Sequence, residues 1–510
     1  MNRTTILLWV LCCLLPAVGP AKPNILFIMT DQHRWDCLGA NGNTLIRTPH
    51  LDALAKRSAN FTHAFVQSPV CVPSRVSFFT GRYPHSHKNR VNYTPLSRNE
   101  ILMQQRLKEA GYTTAAVGKL HLHPPTKEEA VRSGFDHIEL HDAVPYLDRF
   151  SDYAKWRQER DPNRKFHYRR YARDITTGKN PFRSVIDKEY TDTAWVGLRT
   201  RHHLKELAKA KKPFFLFSSF WKPHSPFEVP EPYASMYDDV EIPLPRALSK
   251  EEIERLPPPL VKLILRGKRP PYNMDRERLQ WAYRSYYGTI THIDDEIGLI
   301  VETLRELGIE KDTIIAFSSD HGDQMLEHGL MGKNCFFEES VRVPFIISQP
   351  GRVHPGQHSQ LVECIDLLPT LFELCGLDEP YENQGRSLAP LITGKGTYVE
   401  REVVFSENVI PEVINGMQFF FEKGKGVKGI RHPDAKMVRT RRWKYNYYPQ
   451  GHAELYDLQA DPKEYVNLAG QPGHQQIEQH MKDLLLHWLT TADEPDQIAR
   501  RWEIPYPPKP

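Results

Sequence analysis

The chain has 510 residues, with 67 Lys and Arg against 63 Asp and Glu and a formal net charge of +4. That length exceeds one small core and suits a large α/β domain joined to a smaller one. The near balance of charge excludes the strongly basic class of nucleic-acid binders.

At the start, Arg3 precedes an apolar run from Ile6 to Leu15, and Gly19-Pro20-Ala21 stand ahead of Lys22. This is the pattern of a secretory signal peptide over 1–21, with small residues at its cleavage point. An uncleaved anchor is the alternative, and a lipoprotein reading is weaker because bulky residues precede Cys12 and Cys13. The run is short for a membrane span, and no later segment is long and uncharged enough to be one. An exported protein is therefore expected, in a periplasmic, secreted or lysosome-like compartment according to the host. Of the seven cysteines, Cys37, Cys335, Cys364 and Cys375 then remain beside Cys71. Export permits disulfides, with Cys364 and Cys375 the nearest pair, and buried free thiols fit equally well. Asn60-Phe61-Thr62 and Asn92-Tyr93-Thr94 fit the glycosylation pattern, which matters only in a eukaryotic host.

Asn24-Ile25-Leu26-Phe27-Ile28-Met29 reads as the first strand and runs into Thr30-Asp31-Gln32. A helix is expected over 51–57. Next comes Cys71-Val72-Pro73-Ser74-Arg75, continued by Ser77-Phe78-Phe79-Thr80-Gly81-Arg82. If Ser74 opens a helix, Arg75 and the helix amino end both face Cys71. A helix over 101–110 leads to the strand-like run from Thr113 to Val117, which ends in Gly118-Lys119-Leu120-His121. The stretch 124–183 is irregular, basic and aromatic, as in Arg164-Lys165-Phe166-His167-Tyr168-Arg169-Arg170. It reads equally as a solvated insertion and as a rim that receives an anionic substrate. Phe214-Phe215-Leu216-Phe217 is a further strand and runs toward Lys222-Pro223-His224. A helix over 293–307 stops at Gly308, and Thr313-Ile314-Ile315-Ala316-Phe317 runs into Asp320-His321-Gly322-Asp323.

Continuous apolar runs of this length are strands buried on both faces, as in a parallel sheet covered by helices. In such sheets ligands bind beyond the carboxyl ends of the strands. The polar ends of the three long runs are accordingly expected to meet at one edge. Alone, each acidic residue reads as a cap or turn former; only the set of Asp31, Gln32, Asp320 and His321 suggests a metal site. Its hard oxygen donors favour Ca2+ or Mg2+. From about Glu400 the texture changes: 437–445 and 454–458 read as antiparallel strands, 461–464 as a turn, and 475–489 as a helix.

The segment from Cys71 to Arg82 resembles the active-site signature of formylglycine-dependent type I sulfatases, in the alkaline phosphatase superfamily. The similarity spans the chain from Lys22 to about Leu489, with the motifs in family order. It implies a large, mostly parallel sheet sandwiched by helices over 22–396 and a smaller carboxyl-terminal α+β subdomain over 397–510. It implies that a formylglycine-generating enzyme oxidises Cys71 to formylglycine (3-oxoalanine), whose gem-diol attacks sulfur and later expels sulfate. By the same resemblance Asp31, Gln32, Asp320 and His321, with residue 71, hold the cation. Many members have Asp where Gln32 stands and some have Asn where His321 stands, so Gln32 is a weak ligand or none. Arg75 steadies the gem-diol, Lys119 binds a sulfate oxygen, and His121, favoured by spacing over His123, acts as general base. His224, and Lys333 in Gly332-Lys333-Asn334-Cys335-Phe336-Phe337-Glu338-Glu339-Ser340, are both candidates for the general acid. The expected activity is hydrolysis of sulfate esters, most readily of a sulfated carbohydrate. A phosphonate or phosphodiester hydrolase of the same superfamily and a non-catalytic glycan-binding protein are the alternatives.

Overall fold

The structure, a computed structural model, describes residues 22–92, 94–122, 126–142, 151–160, 180–265, 275–409, 434–449 and 451–492. The expected leader over 1–21, His123 and parts of the basic insertion, including 164–170, lie outside the described residues.

The apolar runs form the centre of a nine-stranded sheet. Its strands are β1 (Asn24–Asp31), β2 (Ala59–Phe65), β3 (Thr113–Gly118), β4 (His137–Leu140), β5 (Phe214–Pro223), β6 (Thr313–Ser319), β7 (Arg342–Ser348), β8 (Gly356–His358) and β9 (Val362–Glu363). They run in the order β4-β3-β5-β1-β6-β7-β2-β8, with β9 also paired to β2. All neighbouring pairs are parallel except those made by β7. Alternation explains the unbroken hydrophobicity of β1, since successive side chains leave opposite faces. Ile25, Phe27 and Met29 enter one core with Val72, Val76 and Phe79 of the helix Cys71–Thr80. Leu26 and Ile28 enter another, with Leu54, Trp195, Leu204, Ile293 and Ile297 of the helices Pro49–Lys56, Asp192–Lys209 and Arg276–Glu306. The sheet is thus covered on both sides, as expected of a mostly parallel α/β sandwich.

β10 (Val404–Val409), β11 (Asp434–Arg439), β12 (Trp443–Tyr448) and β13 (His452–Asp457) make a separate antiparallel sheet. Val438, Tyr445 and Leu455 pack on Met481, Leu485 and Trp488 of the helix Gln475–Thr491.

Three local expectations change, and the choice left open for the cysteines falls to free thiols. The run 437–445 is two strands joined at Thr440, whose backbone N–H donates to Trp443 O at 2.8 Å, so it is a hairpin and not one strand. The helix expected over 293–307 begins at Arg276, because Leu279, Tyr283, Tyr286, Tyr287 and Ile290 extend its buried face. The helix Cys71–Thr80 opens at Cys71, ahead of Ser74, with extended Val70 as its cap; Pro73 is tolerated because first-turn N–H groups need no helical partner. Cys364 and Cys375 are free and buried, as are Cys37, Cys71 and Cys335. Among the described residues no helix is long and apolar enough to cross a membrane.

Gly118 shows how tightly sheet and site are joined. Its φ is +92°, and a Cβ there would stand 2.0 Å from the Ser219 backbone oxygen, which accepts the Lys119 N–H at 2.9 Å. Gly118→Ala should cost on the order of 1–3 kcal/mol from backbone strain alone, and more where Ser219 is displaced. A lowered denaturation midpoint together with lost activity is expected; an unchanged midpoint would contradict this packing.

Candidate active site

The carboxyl ends of β1, β3, β5 and β6 deliver Asp31, Lys119, the Lys222–His224 segment and Asp320 to one edge of the sheet. Cys71 reaches the same edge six residues beyond β2, as the first residue of its helix. The sequence expectation that these polar ends converge is met.

Arg75 organises the centre. Fully buried, it donates from Nε to Asp320 Oδ2 at 2.8 Å and from Nη2 to Asp31 Oδ2 at 3.2 Å. Its Nη1 donates to Lys119 O at 2.7 Å and to Ser219 Oγ at 2.9 Å. One planar fork therefore spans four strand ends, which the point charge of a lysine could not do. Burial would raise the Asp31 carboxyl, but Lys119, Lys333 and Arg75 overcome it and hold the group well below its usual value. Lys119 Nζ lies 2.5 Å from Asp31 Oδ2. Burial opposes the charge of Lys119, yet Asp31 more than offsets it and raises the ammonium above its usual value.

Asp31, Cys71, Asp320 and His321 can bring one ligand atom each within 4.8 Å of one another. Two features suit this group to a cation. Asp31 Oδ1 is buried and accepts no hydrogen bond from the described residues, with Lys333 Nζ 4.0 Å away; this is an expensive state for a carboxylate oxygen. In His321, Nδ1 lies 2.9 Å from Gly322 O, which can only accept. That contact places the proton on Nδ1 and leaves the Nε2 lone pair facing the cluster, 3.6 Å from Asp320 Oδ1 and 3.2 Å from Cys71 Sγ. Gly322 is required, because a Cβ would meet Glu339 O at 1.9 Å.

Position 71 favours negative charge. Burial and Asp31 raise the Cys71 thiol, but Lys333 and Lys119 outweigh them and lower it. Lys333 Nζ stands 2.9 Å from the sulfur. Gln32 is also present, but its amide oxygen accepts from Lys333 Nζ at 3.0 Å and its amide nitrogen donates to Asp323.

Burial, then Lys119 and Arg75, hold His121 well below its ordinary value, so its imidazole is neutral. Its backbone takes the left-handed φ of 54° and is pinned by the N–H donated to Asp142 Oδ1 at 2.8 Å. His224 is likewise neutral, lowered first by burial and then by Lys333. Its Nδ1 lies 2.6 Å from the Ser225 carbonyl, which leaves Nε2 as the acceptor.

Sequence reasoning missed several neighbours. Asn92, read only as a glycosylation acceptor, accepts the Val72 N–H at 3.0 Å and so caps the helix that begins at Cys71. Asn60 is 3% exposed and donates to Asn41 Oδ1 at 3.1 Å, which leaves it inaccessible in the folded chain. Asp142 and Ser219 carry no sequence signal, since they act through contacts 21 and 144 residues distant. Asp323 was visible in the Asp320-His321-Gly322-Asp323 run, but without a role.

Removing one side of a buried ion pair typically costs about 3–5 kcal/mol. Arg75→Ala, which strips a partner from both Asp31 and Asp320, should lower the unfolding midpoint sharply, and Arg75→Lys should recover only part of the loss. Equal stability of Arg75→Ala and wild type in chemical denaturation would refute the role given to this fork.

Comparison with known proteins agrees with this geometry. The family model described as Sulfatase matches residues 23–377, and one described as N-sulphoglucosamine sulphohydrolase, C-terminal, matches residues 326–490. An arylsulfatase of Clostridium perfringens is 32% identical over 500 residues, which cover 93% of this chain and 95% of that protein. An ulvan-active sulfatase of Formosa agariphila is 30% identical over 472 residues, covering 91% and 80%. The crystal structure of a phosphonate monoester hydrolase of Agrobacterium radiobacter matches with a TM-score of 0.80 at 27% identity, covering 92% of this chain and 96% of that one. With its catalytic sheet, helical layers and second small sheet, the chain belongs to the sulfatase family of the alkaline phosphatase superfamily, a family of sulfuric ester hydrolases.

Proposed function

We propose that the protein is an exported sulfatase that cleaves sulfate esters of a carbohydrate, using residue 71 as a formylglycine and one divalent cation. The observation that carries this reading is the convergence on Cys71 of two carboxylates, Asp31 and Asp320, with three cations, Arg75, Lys119 and Lys333. Cations exceed carboxylates before any metal is counted, an excess suited to an anionic substrate. The Cys-x-Pro-x-Arg signature supports oxidation of Cys71 by a formylglycine-generating enzyme, and the leader over 1–21 supports export. The ulvan-active relative supports a carbohydrate substrate.

Asp31, Asp320 and His321, with residue 71, would hold the cation. A bound divalent ion there supplies Lewis acidity and a fixed charge beside the reacting centre. Two carboxylates with one imidazole suit Ca2+ or Mg2+ and also Mn2+ or Zn2+. Arg75 keeps both carboxylates oriented. Lys119 and Lys333 neutralise sulfuryl oxygens as charge gathers on them, the kind of contact worth about 2.7–4 kcal/mol in the barrier. Neutral His121 accepts a proton at the residue 71 side, and Lys333, or His224 once its Nε2 has taken up a proton, delivers one to the departing alkoxide.

A formylglycine provides the hydroxyl nucleophile, which a thiol does not, so Cys71→Ala should fold and bind cation yet hydrolyse nothing. Turnover retained in that variant would sink the mechanism. The two candidate acids separate by leaving group. The variant that has lost the acid, His224→Ala or Lys333→Ala, should be impaired far more on a sugar sulfate than on 4-nitrophenyl sulfate. Equal loss on both substrates in both variants would remove general acid catalysis from these residues.

The TM-score of 0.80 with the phosphonate monoester hydrolase favours a second reading, hydrolysis of phosphonate monoesters. Rates on paired aryl sulfate and aryl phosphonate monoester substrates decide between them. A larger kcat/KM on the sulfate is expected; a larger value on the phosphonate would replace the primary reading.

A further inference from the structure

Gln32 is the one residue at the end of β1 whose role neither the motif nor the ligand chemistry assigns. It is 2% exposed and holds a left-handed φ of 69°, a conformation that a glutamine adopts only when its surroundings enforce it. Each of its polar groups is occupied. The backbone N–H donates to Asp320 Oδ1 at 3.1 Å, and the backbone oxygen accepts from Tyr286 Oη at 2.7 Å. The side-chain nitrogen donates to Asp323 Oδ2, and the side-chain oxygen accepts from Lys333 Nζ at 3.0 Å.

The amide can face only one way. An ammonium has donors alone, so the group that meets Lys333 must be the oxygen; the nitrogen is then left for Asp323. Asp323 is fully buried, and its other oxygen accepts the N–H groups of Met325 at 2.9 Å and Gly332 at 3.0 Å. One carboxylate therefore fixes both the amide of Gln32 and the turn that carries Lys333. That turn bends through Gly332 at φ 77° and Asn334 at φ 79°, and is tied to the second sheet by Asn408 Nδ2 donating to Asn334 O at 2.8 Å.

We propose that Gln32 is a positioning residue and not a cation ligand: Asp323 orients its amide, and the amide oxygen holds the Lys333 ammonium against residue 71. The inference deepens the sulfatase reading and depends on it for the meaning of residue 71 as the reacting group. It gives Asp323 a role through Gln32 and explains how a single lysine on a turn is kept 2.9 Å from its target.

Single and double variants test it. Gln32→Leu should lower kcat about 10–100-fold, as loss of an orienting partner typically does, while calcium or manganese titrated calorimetrically binds as in wild type. In a Lys333→Met background the same substitution should cost nothing further. Asp323→Asn turns a donor toward Gln32, forces the amide to reverse and sets its nitrogen against Lys333. It should therefore lose activity like Gln32→Leu. Adding Gln32→Glu to Asp323→Asn restores an acceptor for both neighbours and should recover most of the rate. Weakened cation binding in Gln32→Leu, additivity with Lys333→Met, or no recovery in the exchanged pair would each overturn the proposal. Should Asp323→Asn fail to fold, Gln32→Leu, which removes no acceptor from the backbone, carries the test. If wild type hydrolyses no sulfate ester, the proposed function falls on its own. The cation titration and a crystal structure of Gln32→Leu, in which Lys333 should leave residue 71, still decide the role of Gln32.

Discussion

The Arg75 guanidinium, buried between Asp31 and Asp320, is the interaction on which the rest of the site depends. Two carboxylates at neighbouring strand ends in a water-poor interior would repel each other and forfeit their hydration. A cation with matching geometry lies between them, and at Asp31 it joins Lys119 and Lys333 in outweighing burial. The same fork takes the Lys119 carbonyl and Ser219 hydroxyl, so β1, β3, β5 and β6 are registered at their carboxyl ends by one side chain. Arg75 stands one helical turn beyond Cys71, and this spacing sets residue 71 over the charge cluster. Helix geometry, strand termini and electrostatics are thus one constraint.

Around that constraint, neutral and charged groups are divided by environment. His121 and His224 are neutral through burial and adjacent ammonium groups, while Lys119 keeps its charge through contact with Asp31. The result is a site with fixed positive charge close to residue 71 and two neutral imidazoles able to accept protons. Preorganised charge of this kind acts where negative charge develops and needs no reorganisation during the reaction. The second sheet contributes through Asn408, which steadies the turn bearing Lys333, and through Lys444, buried between Glu338 and Glu464.

Much of this was legible in the sequence. The three long apolar runs ending in Asp31, His224 and Asp320 gave the strands and the edge at which they meet, because fully buried parallel strands leave no other pattern. Cys71, Arg75 and the run from Gly118 to His121 were readable as motifs, since their spacing is local. The rest depends on contacts between distant segments. Asn92 looks like a surface sequon until the chain folds it onto Val72. The long helix was read short because its aromatic first half lacks an aliphatic stripe, although Tyr283, Tyr286 and Tyr287 bury it equally well. The turn at Thr440 lacks glycine, proline or asparagine and so carries no breaker signal. The orientation of Gln32 is set by Asp323, 291 residues away, and by an ammonium one residue past a glycine.

In the mechanism we propose, residue 71 reacts as an oxidised cysteine within a charge cluster prepared for it. The most direct measurement is the mass of the tryptic peptide spanning residues 58–75, from protein made in a host with the maturation machinery and shown to release sulfate. The account predicts a peptide about 18 Da lighter than the cysteine form, with the lighter fraction rising in step with specific activity. Full sulfate release from protein carrying only the unmodified thiol would contradict it.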